Sequence, residues 1–421
     1  MADQALSPGI DIRLAAGVGM IAVLVASAIS AFLGNPVVVL VTSYAVAFGA
    51  AIILFGDDAF SRAVNLAITV YAAMIVFVCT LSPLPSAAIQ GLPQTDRLNY
   101  YYIYYIGTSL AGAEENIEAG YLLLNDLARP LMPFEVFLAL IALGVFTALL
   151  MLLKTVGQVR LAGIVALALL AYFSFWSGAL NITRQFVAAG LGMMAIVILL
   201  RTTAMPRKIR VVLYVMLVAA AFSVHSSALI FGVFGIVYAF SQYGGILLAG
   251  IWTGNIVFFV LNFFDTSPLL LIPGLSDRLD RYDSKQISDA SLAQFQSAGV
   301  STGNRLDWAM LLLLPMIVYG VHLFLQRRAR KSTSQDELYL FSLLYTTLCV
   351  PFFLLSFLAF GDRIAFYAFL ILPAFLLALV TTIFKHETRY LILSLVAGGC
   401  VLQVALGLYG YTPKLWLTGA L

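Results

Sequence analysis

The chain has 421 residues, 62% of them hydrophobic and only 10% charged, with a formal net charge of +3. A soluble domain carries roughly 25% charged residues, so an ordinary soluble protein is excluded. Three cysteines and three histidines, far apart in the chain, give no disulfide framework and no metal centre; no cofactor and no nucleic-acid partner is expected.

Taken in order, a short polar stub (1–13), without a cleavable signal pattern, leads into apolar runs that recur to the end of the chain. Runs of bilayer-crossing length or a little less lie at 14–33, 37–55, 65–82, 134–153, 161–177, 186–200, 211–224, 226–240, 244–264, 307–325, 338–360, 364–384 and 389–410. The reading is an all-α, polytopic transmembrane helical bundle of about thirteen spans, forming a single integral membrane domain over 1–421.

The positive-inside rule sets the orientation. With the N-terminus in the cytoplasm, 14 of the 23 Lys and Arg fall on the inner side, including the clusters RTTAMPRKIR (201–210) and QRRARK (326–331). The outer side receives 13 of the 20 acidic residues, mostly in two long extracytoplasmic segments, 83–133 and 265–306. Inner loops are short and basic, which suits topological anchors. The working surface is expected outside.

That parity depends on 211–240, an apolar stretch interrupted at Ser223, His225, Ser226 and Ser227. Two short helices hinged at His225 keep QRRARK inside, whereas one long span puts it outside. Halves of 14 and 15 residues reach about 21–23 Å, against about 30 Å of hydrocarbon. The run 186–200 is equally short. Irregular backbone at membrane depth is tolerated only beside protein or a water-filled cavity. Short or broken helices carrying Arg184 and His225 are therefore expected at the floor of an outward-facing cavity.

Arg184, within SGALNITRQFVAAGL (177–191), sits between two apolar runs, where an ionisable residue marks a functional-site candidate. Snorkelling of its head to the membrane surface is the simpler alternative. In the first outer segment six tyrosines crowd 100–121, behind Asp96-Arg97 and among Glu114, Glu115 and Glu118. They fit an interfacial aromatic belt; aromatic faces beside carboxylates also suit sugar rings. The second outer segment carries SDRLDRYDSK, in which Arg278 and Arg281 alternate with Asp277, Asp280 and Asp283. A solvated ion-paired helix and a lid are both compatible with it. Asp362 fits a helix cap, while Arg363 opens an apolar helix where an N-terminus already favours anions. Arg184, Arg278, Arg281, Arg305 and Arg363 all face outward in this topology, and arginine's planar fork matches phosphate oxygens. No Walker motif and no Asp-x-Asp metal signature accompanies them. The remaining natural candidate at that boundary is a polyprenyl-diphosphate-linked sugar.

Asp96 with the tyrosine cluster, Glu118-x-Gly-Tyr121, Asn181-Ile-x-Arg184-Gln185, His225-x-Ser227 and Asp362-Arg363 together resemble the EpsG-like family of exopolysaccharide and O-antigen polymerases of Wzy type. The resemblance covers nearly the whole chain in order; its most specific elements are N-I-x-R-Q and H-x-S. The acidic, tyrosine-rich first loop departs from the family pattern. The resemblance implies a GT-C-like glycosyltransferase of the bacterial inner membrane that extends glycans on undecaprenyl diphosphate, with its active site facing the periplasm or exterior. Donor and acceptor are then undecaprenyl-diphosphate-linked glycans in membrane lipid, with chain-length regulator or export proteins as further partners. Asp96, His225 and Glu118 become the candidate catalytic residues. Arg184, Gln185, Arg363, Arg278 and Arg281 become the candidate diphosphate ligands, and Tyr100, Tyr121 and Asn181 the sugar contacts. An O-antigen ligase and a lipid-linked oligosaccharide flippase are the competing readings. A flippase often shows two similar halves, and this chain shows no such repeat.

Overall fold

A computed structural model describes residues 36–56, 58–81, 96–106, 117–180, 182–200, 205–263, 305–328, 338–355, 361–384 and 386–406. Their regular structure is helical: α1 (Pro36–Ile53), α2 (Ala59–Leu81), α3 (Asp96–Ile106), α4 (Ala119–Ala128), α5 (Phe134–Thr155), α6 (Ala162–Ala171), α7 (Phe173–Leu180) and α8 (Thr183–Leu200). After these come α9 (Arg207–Val224), α10 (Leu229–Ala239), α11 (Gly245–Phe263), α12 (Arg305–Arg328), α13 (Tyr339–Leu354), α14 (Gly361–Ile364), α15 (Phe366–Ile383) and α16 (His386–Leu406). The run 14–33, Asn181, Arg278 and Arg281 lie outside the described residues.

The helices divide by what surrounds them. On α2, Val64, Ile68, Ala72 and Val76 are buried, while Leu66, Val70, Met74 and Val78 are exposed. Both sets repeat every four residues, so one apolar stripe faces protein and the other faces outward. A second such helix is α12, with Ala309, Leu312 and Met316 inside and Met310, Leu314, Ile317 and Val321 outside. Exposed apolar stripes of this length mark a membrane protein, with hydrocarbon as their solvent. Central helices are apolar all round: in α8 and α15, 72% of the spanning window is buried.

Five helices among the described residues are long and apolar enough to cross a membrane: α2, α5, α8, α15 and Leu306–Leu325 of α12. The others are shorter or less uniformly apolar over their described residues, so about thirteen spans are not reproduced there; the run 186–200, expected to fall short, lies within the spanning helix α8. The run 161–177 departs furthest from expectation. Instead of one span it is two helices, α6 and α7, bent by 69° at Tyr172. No glycine or proline marks the bend. The carbonyl of Leu170, freed by the bend, accepts the indole N–H of Trp176 at 2.8 Å, which supplies the partner that an apolar interior otherwise lacks. The break steers the chain through α7 into the first turn of α8.

Expectation and structure agree at 211–240. Helix α9 stops at Val224, His225 is extended (φ −156°, ψ 124°), and a 3-10 turn over Ser226–Ala228 leads into α10. At the far end of α8, Arg210 donates to the carbonyl of Leu199 at 3.2 Å. Arg184 in its first turn and Arg210 of α9 therefore mark opposite ends of this 18-residue helix, about 27 Å long.

Candidate functional site

Helix starts build the site. The first turn of α8 brings Arg184 and Gln185, the α9–α10 break brings His225, Ser226 and Ser227, and the α14–α15 junction brings Arg363 and Tyr367. With Tyr100 of α3 they form the polar part of the lining of a cavity of about 500 Å³. The rest of the lining is largely apolar and includes Leu229 and Val233 of α10 and Val350, Leu354 and Leu355 at the end of α13. A helix N-terminus is the positive end of its dipole, so several such starts around one cavity favour an anion; in the 226–228 turn the first N–H groups are already taken by Glu118 and His225.

The break that makes this possible is capped from within. The His225 ring is the N-cap of the 3-10 turn: Nδ1 accepts the backbone N–H of Ser227 at 3.3 Å. The Ser227 hydroxyl lies 2.6 Å from the same nitrogen and 2.8 Å from the Tyr367 hydroxyl. Arg184 and Arg363 line the same cavity as the imidazole, and like charges nearby disfavour a positive charge on the ring.

Glu118, at the N-terminal edge of α4, joins two of these starts. One carboxylate oxygen accepts from Arg184 Nη1 at 2.6 Å, and the other accepts the Ser226 backbone N–H at 3.4 Å. Both partners of the ion pair are largely shielded, with side chains 25% and 22% exposed. Arg184 also donates from Nε to the Tyr100 hydroxyl at 3.4 Å, its guanidinium 5.8 Å from the centre of that ring. Gly120 lets α4 come this close. A Cβ there would stand 2.6 Å from the Ser223 carbonyl oxygen on α9.

Of the residues singled out in the sequence, Arg184, Gln185, His225, Arg363 and Tyr100 line one cavity, and Glu118 is tied to it. Gln185 is buried and spends its amide on the Arg363 carbonyl, 2.7 Å away, so it fastens α8 to α14. Tyr121 is completely buried, edge-on to Tyr100 at 5.6 Å; it backs the site and does not line it. Tyr101, Tyr104 and Tyr105 pack with Phe134 and Phe137 at the start of α5. Of Asp96 only the place is described, at the first residue of α3, one helical turn before Tyr100. Asn181, Arg278 and Arg281 lie outside the described residues. Sequence reasoning missed Tyr367 and the backbone of Ser226. Tyr367 carried one faint signal, a hydroxyl in the first turn of an otherwise apolar helix.

Among the described residues no group of three or more His, Cys, Asp or Glu is placed to hold a metal. No curated protein and no solved structure matches the chain. A family model does: the EpsG family matches residues 73–411, a range that takes in the Glu118–Arg184 pair, the His225 break and the Arg363 junction. The match spans far more than half of the 421 residues, and the chain belongs to the EpsG family.

Proposed function

We propose that this chain is a membrane glycosyltransferase that joins polyprenyl-diphosphate-linked repeat units into a polysaccharide at the extracytoplasmic face. Membership of the EpsG family suggests a polysaccharide polymerase type of membrane protein. The donor, the reaction and the face are the finer part of the proposal. The observation that carries it is the two-sided chemistry of one cavity lining: the cations Arg184 and Arg363 together with an apolar set from α10 and the end of α13. A polyprenyl diphosphate has the same two-sided chemistry, with two phosphates at one end and hydrocarbon at the other.

In this reading the arginines hold the diphosphate, and the helix starts around the cavity add to their field. Attack by an acceptor hydroxyl on the anomeric carbon breaks the bond to the diphosphate oxygen, which leaves with the electron pair. Cations preorganised around that oxygen stabilise the charge as it develops. The hydroxyl proton needs a base. Glu118 has both oxygens engaged, so it serves chiefly to position Arg184. Asp96, one turn from Tyr100 on α3, is the first choice and His225 the second, and Arg278 and Arg281 of the second outer segment are further proposed ligands of the diphosphate. Arg184 in the first turn of α8 and Arg210 of α9, bonded to Leu199 at the far end of α8, support an outward site, since the basic 201–210 segment then stays inside.

Surface glycans of a strain lacking this gene test the reading. Single repeat units in place of long chains are the expected result. Full-length chains retained on the carrier lipid, but absent from the surface, would turn the assignment toward a ligase.

A further inference from the structure

One hydrogen bond at His225 has a fixed donor and orders the others. Nδ1 accepts the Ser227 backbone N–H, and a backbone N–H can only donate. Nδ1 therefore carries no proton, and in the neutral ring the proton sits on Nε2. The Ser227 hydroxyl, 2.6 Å from Nδ1, must then give its hydrogen to that nitrogen. Its oxygen is left to accept from the Tyr367 hydroxyl at 2.8 Å. The chain reads Tyr367 O–H to Ser227 Oγ–H to His225 Nδ1.

Consequences follow for the cavity, which His225, Ser227 and Tyr367 all line. We infer that the Ser227 backbone N–H fixes His225 in its Nε2–H form, with the Tyr367–Ser227 hydroxyls ordered behind it, making the histidine a hydrogen-bond donor to a ligand oxygen rather than a proton acceptor. The inference deepens the function proposed above and rests on it for the ligand: an oxygen of the lipid diphosphate. No proton transfer takes place at this residue; the Nε2–H bond stays intact, and the hydroxyl proton goes to a carboxylate elsewhere. The surroundings agree with a neutral donor. Arg184 and Arg363, which line the same cavity, disfavour a further positive charge at His225, and Glu118 is already paired with Arg184. Tyr367 and Ser227 are positioning residues here, acting through the ring.

The test begins with the unmodified protein. With only three histidines in the chain, His225, His322 and His386, nitrogen-15 labelled histidine gives a spectrum simple enough to assign with a His225→Gln variant. The expected wild-type state at neutral pH is one tautomer, Nδ1 bare and Nε2 protonated. This measurement needs no substrate, so it stands apart from the glycosyltransferase reading. A proton on Nδ1, or an even mixture of tautomers, overturns the inference. Ser227→Ala removes the hydroxyl donor and keeps the backbone N–H, so it is expected to hold the Nε2–H form while its Nδ1 signal moves toward that of a more weakly bonded nitrogen; an Nδ1 signal unmoved from wild type overturns the chain as drawn. Turnover supplies the second readout. His225→Gln keeps an N–H near the Nε2 position and cannot act as a base, so it should retain activity to within about tenfold. His225→Leu, which loses a bond to a charged group, should fall by about tenfold to a hundredfold more. Equal collapse of both variants means that the ring accepts a proton in the reaction, and the donor role is wrong.

Discussion

An Arg184→Lys protein is expected to make almost no polymer, although it keeps the positive charge and inserts at wild-type levels. Arg184 uses its fork in two directions: Nη1 meets Glu118 at 2.6 Å and Nε meets the Tyr100 hydroxyl at 3.4 Å. A lysine ammonium is a single point of charge on a flexible stem and cannot hold both partners while also facing the cavity. The loss falls on a preorganised cation, and loss of one such donor costs about a hundredfold or more in turnover. Glu118→Gln should do less damage, because the amide oxygen can still accept from the guanidinium. Its effect should appear as a weaker hold on the lipid diphosphate, since Arg184 is then less well fixed. The measurement is polymer yield and lipid-diphosphate binding on protein matched for membrane content. Wild-type yield from Arg184→Lys would place the diphosphate elsewhere.

Gly120→Ala is expected to unsettle the same site without touching a charged residue. The added methyl would stand 2.6 Å from the backbone oxygen of Ser223, and a backbone atom in the last turn of α9 cannot swing aside as the tip of a side chain can. Helix α4 must therefore move off α9, and Glu118, two residues earlier, moves with it. Overpacking of this kind costs about 1–3 kcal/mol, and here it also loosens the carboxylate from Arg184 and from the Ser226 N–H. A lower thermal midpoint in detergent together with a sharp fall in turnover is the expected pair of results. Gly144→Ala on α5 is the control: nothing lies within 4 Å of its Cβ. It should keep wild-type turnover and gain about 0.5–1 kcal/mol from lost chain freedom. Gly120→Ala behaving like Gly144→Ala would mean that α4 and α9 do not meet as closely as described.

The residues that could be read in advance are the ones that break a rule. Arg184, His225 and Arg363 are polar interruptions in apolar runs, and hydrocarbon makes such interruptions costly enough to stand out. The helix break at His225 was legible for the same reason, since three further serines flank it and thirty uninterrupted apolar residues would overshoot a bilayer. What was not legible is who meets whom. Glu118 and Arg184 are 66 residues apart, and Gln185 and Arg363 are 178 apart; no local period encodes such pairs. Tyr121 looked like Tyr100 in sequence, yet one is buried behind the other. The bend at Tyr172 escaped notice because its remedy is a tryptophan N–H four residues later, not the glycine or proline that usually announces a bend. Tyr367 sits in a helix whose other residues are almost all apolar, and its role emerges only from the serine it faces.

The most direct measurement reconstitutes the purified protein in lipid vesicles with polyprenyl-diphosphate-linked repeat units and follows both products of the reaction. The account predicts glycans that lengthen by whole repeat units, one free polyprenyl diphosphate released for each linkage formed, and loss of both in Arg184→Lys. Repeat units that cross the bilayer unchanged, with no new glycosidic bond and no released diphosphate, would contradict it.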